Sequence, residues 1–223
     1  LFLKDLNKEA LVYKDKNFSF KQVLIESISR SIFLKKKGIT EGKRVAINLD
    51  ERKDFFFSFL ACSLVGADVI SINENVSTQE LDDILEISKP DLVLTSFPES
   101  VNQEVELNSF NFNNMNIVFF TSGTTSQPKG IVHDFNDLIG NAKAFNKATD
   151  LDDGVFMKHV FPVGYMAGLL NTFISPILAG GKVFFSEKFS PKSALSFWEE
   201  AIEKGINSLW LAPTMLSILS TLD

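Results

Sequence analysis

Short apolar runs of strand length alternate with longer segments of helical period along almost the whole chain, and this alternation constrains the fold more than any other feature. Phe20, Val23, Leu24, Ile28 and Ile32 keep a helical spacing, and Lys35, Lys36, Lys37 and Gly38 supply a basic last turn and a stop. Residues 44–49 (RVAINL) read as a short strand. Residues 55–65 are apolar enough for a helix buried on more than one side; Gly66 ends it, and residues 69–72 return as strand. Ser77 and Glu80 have the spacing of a capping box, in which each side chain satisfies a backbone N–H at a helix start. Leu81, Ile84 and Leu85 give that helix its inner face, and Pro90 closes it ahead of a strand at 92–94. Residues 96–116 are polar, rich in Asn from Asn108 onward and without apolar period, as expected of a connector. A buried strand at 117–120, a hydroxyl-rich loop and a second strand at Ile131 and Val132 follow. Ser190 and Pro191 look like an N-cap and first helical residue, with Ala194, Leu195, Trp198, Ala201 and Ile202 on one face, Gly205 as stop and a last strand at 208–212. The pattern predicts an α/β fold of mainly parallel sheets flanked by helices, in two lobes: residues 1–105, a polar connector at 106–116, and residues 117–223.

Composition narrows the function classes. At 45% apolar and 22% charged residues in 223, the chain has material for a globular core and is not of disordered type. Lys and Arg number 22 against 28 Asp and Glu, a net charge of −6, which argues against a nucleic-acid binder. A single cysteine, Cys62, rules out a disulfide framework and points to a reducing, cytoplasmic setting. His133 and His159 stand apart from it, so no metal site of zinc-type spacing is expected. The opening segment, LFLKDLNKEA, is too charged for the apolar core of a signal peptide. Residues 160–181 carry no charged side chain, but Pro162, Gly164, Gly168, Pro176, Gly180 and Gly181 interrupt them. That leaves a buried helix at 165–175 and no membrane span.

The chemistry concentrates in Thr121, Ser122, Gly123, Thr124, Thr125, Ser126, Gln127, Pro128, Lys129 and Gly130, directly after a buried strand. Hydroxyls and open backbone N–H groups can donate to phosphate oxygens, glycine lets the backbone approach, and lysine neutralises charge. It is not the nucleoside-triphosphate P-loop: counted from Gly123, Pro128 falls where the second Gly belongs, and a strand follows where that loop would open a helix.

In order and flanks, FFTSGTTSQPKGIVH resembles the signature loop of the adenylate-forming superfamily, which comprises acyl- and aryl-CoA synthetases, luciferases and peptide-synthetase adenylation domains. Its pattern, Thr-Ser-Gly-Thr-Thr-Gly-x-Pro-Lys-Gly, is departed from only at Ser126, which stands for Gly and bears on ATP affinity. Upstream, GITEGKRVAINLDERKDFFFSFLACSLVGADVISIN is similar to a family segment, with Lys43 for the usual Asp. Downstream, HVFPVGYMAGLLNTFISPILAGGKVFF is similar to the family's Pro-x-x-His-x-x-Gly acyl-pocket segment, with Tyr165 where His is common, and WLAPT to the strand leading to a pocket wall.

The resemblance implies an ATP-dependent acid–thiol ligase that joins a carboxylate to the α-phosphate of ATP, releases pyrophosphate, and passes the acyl group to CoA or to a carrier protein's phosphopantetheine. It implies that Thr121, Ser122, Gly123, Thr124, Thr125 and Lys129 hold the β- and γ-phosphates with Mg²⁺, and that Tyr165, Met166 and Gly168 line the substrate pocket. No catalytic residue is assigned, and His133 reads as an ordinary strand-end imidazole. Residues 161–170 contain no acid to hold an α-ammonium group, which favours a fatty or aromatic carboxylic acid over an amino acid. The family's aromatic-Gly-x-Thr-Glu motif and its C-terminal domain are absent between Leu1 and Asp223, so the chain is expected to be part of a large N-terminal domain and inactive alone. A ligase loading an acyl carrier protein and a noncatalytic nucleotide-binding module stand as alternatives.

Overall fold

Residues 5–49, 51–73, 76–97, 111–121 and 128–222 are described by a computed structural model of the chain. It opens on a hairpin, β1 (Glu9–Tyr13) and β2 (Lys16–Ser19), that turns through Lys14 and Asp15 at φ of 47° and 59°. The helix α1 (Phe20–Lys36) buries Phe20, Val23, Leu24 and Leu34. β3 (Arg44–Ile47) leads into α2 (Arg52–Val65), whose residues from Phe55 onward are all buried, as an all-round apolar run requires. Gly66 caps it at φ 78°, in the left-handed region, and returns its N–H to Cys62 and Ser63 carbonyls. After β4 (Asp68–Ser71), α3 (Thr78–Ser88) starts where Ser77 Oγ accepts from Glu80 N at 3.2 Å, the forward half of the expected box. β5 (Leu92–Leu94), β6 (Asn116–Thr121), β7 (Lys129–Asp134), α4 (Phe135–Ala148) and β8 (Phe156–His159) follow. A π-helix, Ala167–Ile174, runs into α5 (Ser175–Ala179) and then β9 (Lys182–Phe185). The chain ends with α6 (Pro191–Ala194), α7 (Phe197–Glu203), β10 (Ser208–Leu209) and α8 (Pro213–Leu219).

These elements form two compact units, called here central and flanking by their place in the sequence. The central unit, residues 21–140 with 163–165, holds a five-stranded sheet in the order β5-β3-β4-β6-β7. All its pairings are parallel except β6 with β7. Ala46, Ile70 and Ile72 form a buried cluster with Ile84 of α3. The flanking unit, residues 1–20, 141–162 and 166–223, holds a five-stranded sheet in the order β10-β8-β9-β1-β2, parallel except for β1 with β2. Its core includes Val160, Phe161, Ala194, Phe197 and Leu219. Among the described residues no helix is long and apolar enough to cross a membrane.

The mainly parallel α/β architecture is as expected, but the units divide elsewhere than at 105 and 117. β6 pairs with β4, Val69 opposite Ile117, so the chain beyond 117 first completes the sheet begun at Arg44. β1 pairs with β9, Leu11 opposite Val183, so the first residues belong with the last. The asparagines of the expected connector tie the central unit together: Asn113 Nδ2 donates to the Leu64 carbonyl at 3.2 Å, and Asn116 N to Asp68 Oδ1 at 2.7 Å. Residues 98–110 lie outside the described set.

The helical face expected at 194–202 breaks between α6 and α7. The buried face is Ala194, Phe197 and Ala201, which keep the i, i+3, i+7 spacing across the break, while Leu195 and Ile202, expected on that face, are 74% and 80% exposed. Lys158, itself buried, sets its ammonium 3.9 Å from the Phe197 ring centre and 2.9 Å from Glu200, which explains why Phe197 faces inward. The last strand stops at Leu209, where its pairing with β8 ends, and Pro213 starts a helix. The helix foreseen at 165–175 is the π-helix with its continuation.

Candidate functional site

The site begins with the edge hairpin of the central unit. β6 alternates, burying Ile117 and Phe119 on one side. It turns Val118 and Phe120 to the α3 side. β7 returns antiparallel in unbroken register from Asn116 opposite Asp134 to Thr121 opposite Lys129. At Gly130 it is space and not backbone angle that is tight: a Cβ there would stand 3.0 Å from Val118 Cγ1 and 3.2 Å from Phe120 Cζ, so those side chains would have to give. Thr121 and Lys129, both exposed, thus face each other at the mouth of the loop. That mouth lies past the carboxyl end of β6, which runs parallel to β4, the end of an α/β sheet where ligands gather. Ser122, Gly123, Thr124 and Thr125, with Ser126, lie outside the described residues.

At the other end of the hairpin Asp134 anchors the register. Its carboxylate accepts from Asn114 Nδ2 at 2.6 Å and from Asn136 N at 2.8 Å, opening α4 as an N-cap would. The Asn114 bond, with the Asn136 and Asp137 amides, holds the Asp134 carboxyl below the usual carboxylate range. Asp91 is lowered likewise, by the Arg44 amide first and then by Lys43, tying the start of β5 to β3.

The expected pocket segment is placed by two crowded glycines. In the central unit the Gly164 carbonyl accepts from Ser71 Oγ at 3.2 Å, and a Cβ on Gly164 would collide with the Ile72 carbonyl. This brings Tyr165, half exposed, to the carboxyl end of β4, the same end of the sheet at which Thr121 and Lys129 stand. Met166 and Gly168 belong to the flanking unit. There Gly168 is buried, a Cβ on it would collide with the Pro162 carbonyl, and its own carbonyl accepts from His159 Nε2 and Thr172 Oγ, each at 3.0 Å.

Ser71, Gly164, His159 and Thr172 were not singled out by motif. In sequence His159 reads only as an isolated histidine without metal-site spacing, and nothing in the spacing of Ala167–Ile174 announces a π-helix. Cys62 is buried in α2, and burial pushes its thiol far up, so it is no nucleophile. Among the described residues no three His, Cys, Asp or Glu side chains cluster as a metal site would require.

Comparison with known proteins fits this geometry. The profile of the AMP-binding enzyme family matches residues 3–111 and 98–223. A 2-succinylbenzoate–CoA ligase of Bacillus pumilus is 24% identical over 96% of this chain and 48% of its own length. A malonate–CoA ligase of Arabidopsis thaliana is 31% identical over 38% of this chain and 14% of its own. The chain therefore spans about half, or less, of the curated relatives it matches. Among solved structures, an O-succinylbenzoate coenzyme A synthetase from Bacillus subtilis, in complex with ATP and magnesium ion, superposes with a TM-score of 0.81 at 20% identity, covering 97% of this chain and 49% of that one.

Proposed function

This chain belongs to the AMP-binding enzyme family of adenylate-forming proteins, and from that premise we propose that it supplies the phosphate-holding and carboxylate-holding part of an ATP-dependent carboxylic acid:CoA ligase. In that reaction a carboxylate oxygen attacks the α-phosphorus of ATP, the bond to the β-phosphate oxygen breaks, and pyrophosphate leaves. A thiolate then attacks the acyl carbon and AMP departs. Thr121, Ser122, Gly123, Thr124, Thr125 and Lys129 take the β- and γ-phosphates, the ammonium of Lys129 offsetting charge that builds on the leaving pyrophosphate. Mg²⁺, when bound with ATP, would supply further charge neutralisation on the phosphates beside Lys129. Tyr165, Met166 and Gly168 line the carboxylate pocket, and the absence of an acid from 161–170 points to a fatty or aromatic acid. CoA is the thiol acceptor, as in the names of the curated relatives.

The observation that carries this reading is the pairing of Thr121 with Lys129 across the mouth of the hydroxyl-rich loop, at the carboxyl edge of a parallel sheet. The test is equilibrium binding of Mg·ATP to the 223-residue chain, beside carboxylate-dependent pyrophosphate exchange. Saturable Mg·ATP binding without exchange is expected, because the relatives that turn over are about twice as long. No binding contradicts the phosphate assignment, and exchange by the chain alone contradicts the restriction to binding.

A further inference from the structure

The π-helix Ala167–Ile174 is the least expected element of the fold, because helices of this width are rare and, where they occur, sit frequently at functional sites. Its first turn is held by a group from a different element. His159, the last residue of β8, is wholly buried and presents Nε2 to the Gly168 carbonyl at 3.0 Å. A carbonyl oxygen only accepts, so the ring carries a proton on Nε2. Thr172 Oγ donates to the same oxygen at 3.0 Å from one turn onward. The imidazole is steered by the Phe185 ring, edge to face at 5.0 Å, and Phe185 in turn stacks on Phe173 of the π-helix at 6.2 Å. Gly168 cannot be replaced without collision with the Pro162 carbonyl, so its position is set from one side by packing and from the other by two donors on one acceptor.

We propose that His159, with Thr172, is a positioning residue for the carboxylate pocket: together they hold the Gly168 carbonyl, fix the register of the π-helix, and so set where Met166 and Gly168 stand. This rests on the reading of 165–168 as pocket wall given above. Neither side chain need touch a substrate, and their effect reaches it through the backbone of one turn. Thr121 and Lys129, which flank the phosphate loop, belong to the other unit.

The test uses the 223-residue chain with His159→Ala, His159→Gln and the near-isosteric Thr172→Val, which guards against a misfolded alanine variant. Hydrogen exchange of the 167–174 amides is read first, with the β9 amides as internal control. Octanoate and benzoate are then titrated at saturating Mg·ATP, and Mg·ATP is titrated alone. The clamp predicts faster exchange confined to 167–174 in His159→Ala and Thr172→Val. It predicts weaker carboxylate binding by about fivefold, the size of one lost hydrogen bond, with Mg·ATP affinity unchanged. His159→Gln, which keeps a donor near Nε2, is expected to restore both, and a nitrogen-edge NMR signature of an Nε2-protonated imidazole is expected in the parent. Unchanged exchange at 167–174, equal weakening of both ligands, or no rescue by Gln overturns the proposal. If the parent binds neither carboxylate, the functional reading fails, and the exchange data alone then decide whether the clamp exists.

Discussion

Both sheets end in an antiparallel strand added to a parallel set, yet the two edges turn in opposite styles. In the flanking unit β1 passes to β2 through Lys14 and Asp15 alone, both at positive φ, the two-residue turn whose twist matches that of the strands. In the central unit β6 passes to β7 through residues 122–128, although Thr121 and Lys129 already stand opposite each other as Tyr13 and Lys16 do. The closing pairs are equivalent, so strand geometry does not require the longer connection. What differs is content: a minimal turn that accepts left-handed Lys and Asp at some cost, against a run of hydroxyls and glycine. The difference teaches that the first edge is closed with the fewest residues a hairpin needs, while the second carries a longer run whose chemistry matches the phosphate-holding role proposed for it.

The largest effect should come from giving the second edge the connection of the first. Replacing residues 122–128 with Asn-Gly is expected to leave thermal stability unchanged or higher while lowering Mg·ATP affinity by roughly a hundredfold or more, measured by calorimetry. Lys129→Ala should lower that affinity by about tenfold, with denaturation midpoints within error of the parent. Next is Gly130→Val, which forces a branched side chain onto Val118 and Phe120. Urea unfolding is expected to show a loss of about 1–3 kcal/mol, and no loss would mean that the hairpin is looser than its contacts indicate. Conversely, the double change Lys14→Asn with Asp15→Gly should stabilise the first edge by about 1 kcal/mol, by relieving two left-handed residues, without altering nucleotide binding.

The smallest effect concerns acid. Asp134 and Asp91 are held below the usual carboxylate range in the folded chain. The stability they contribute is present above their unfolded pKa of about 3.9 and is lost as pH falls through the lower folded value. Asp134→Asn should therefore flatten the acid limb of the melting profile, and an unchanged limb would show that the carboxylate does not anchor the hairpin.

Much of this comparison was legible in the sequence, and the rest failed for definite reasons. The strands at Arg44, Val69, Leu92 and Ile117 announce themselves as short apolar runs, and α2 as an apolar run of helical length closed by Gly66. The loop motif is local, so its residues could be named. β1 and β2 went unread because Lys-Asp carries none of the usual hairpin chemistry. The division into units went unread because it depends on β1 meeting β9 across more than 160 residues, a pairing no local pattern encodes. His159 and Thr172 became visible only when the backbone of Gly168 was in place between them.

The most direct measurement is a titration of Mg·ATP into isotopically labelled chain, following the amide signals of both edges at once. The account predicts shifts that saturate in Thr121 to Gly130 and leave Glu9 to Ser19 unmoved. Shifts of equal size at both edges, or saturation without movement around Thr121 and Lys129, would contradict the claim that only the second edge is built to hold phosphate.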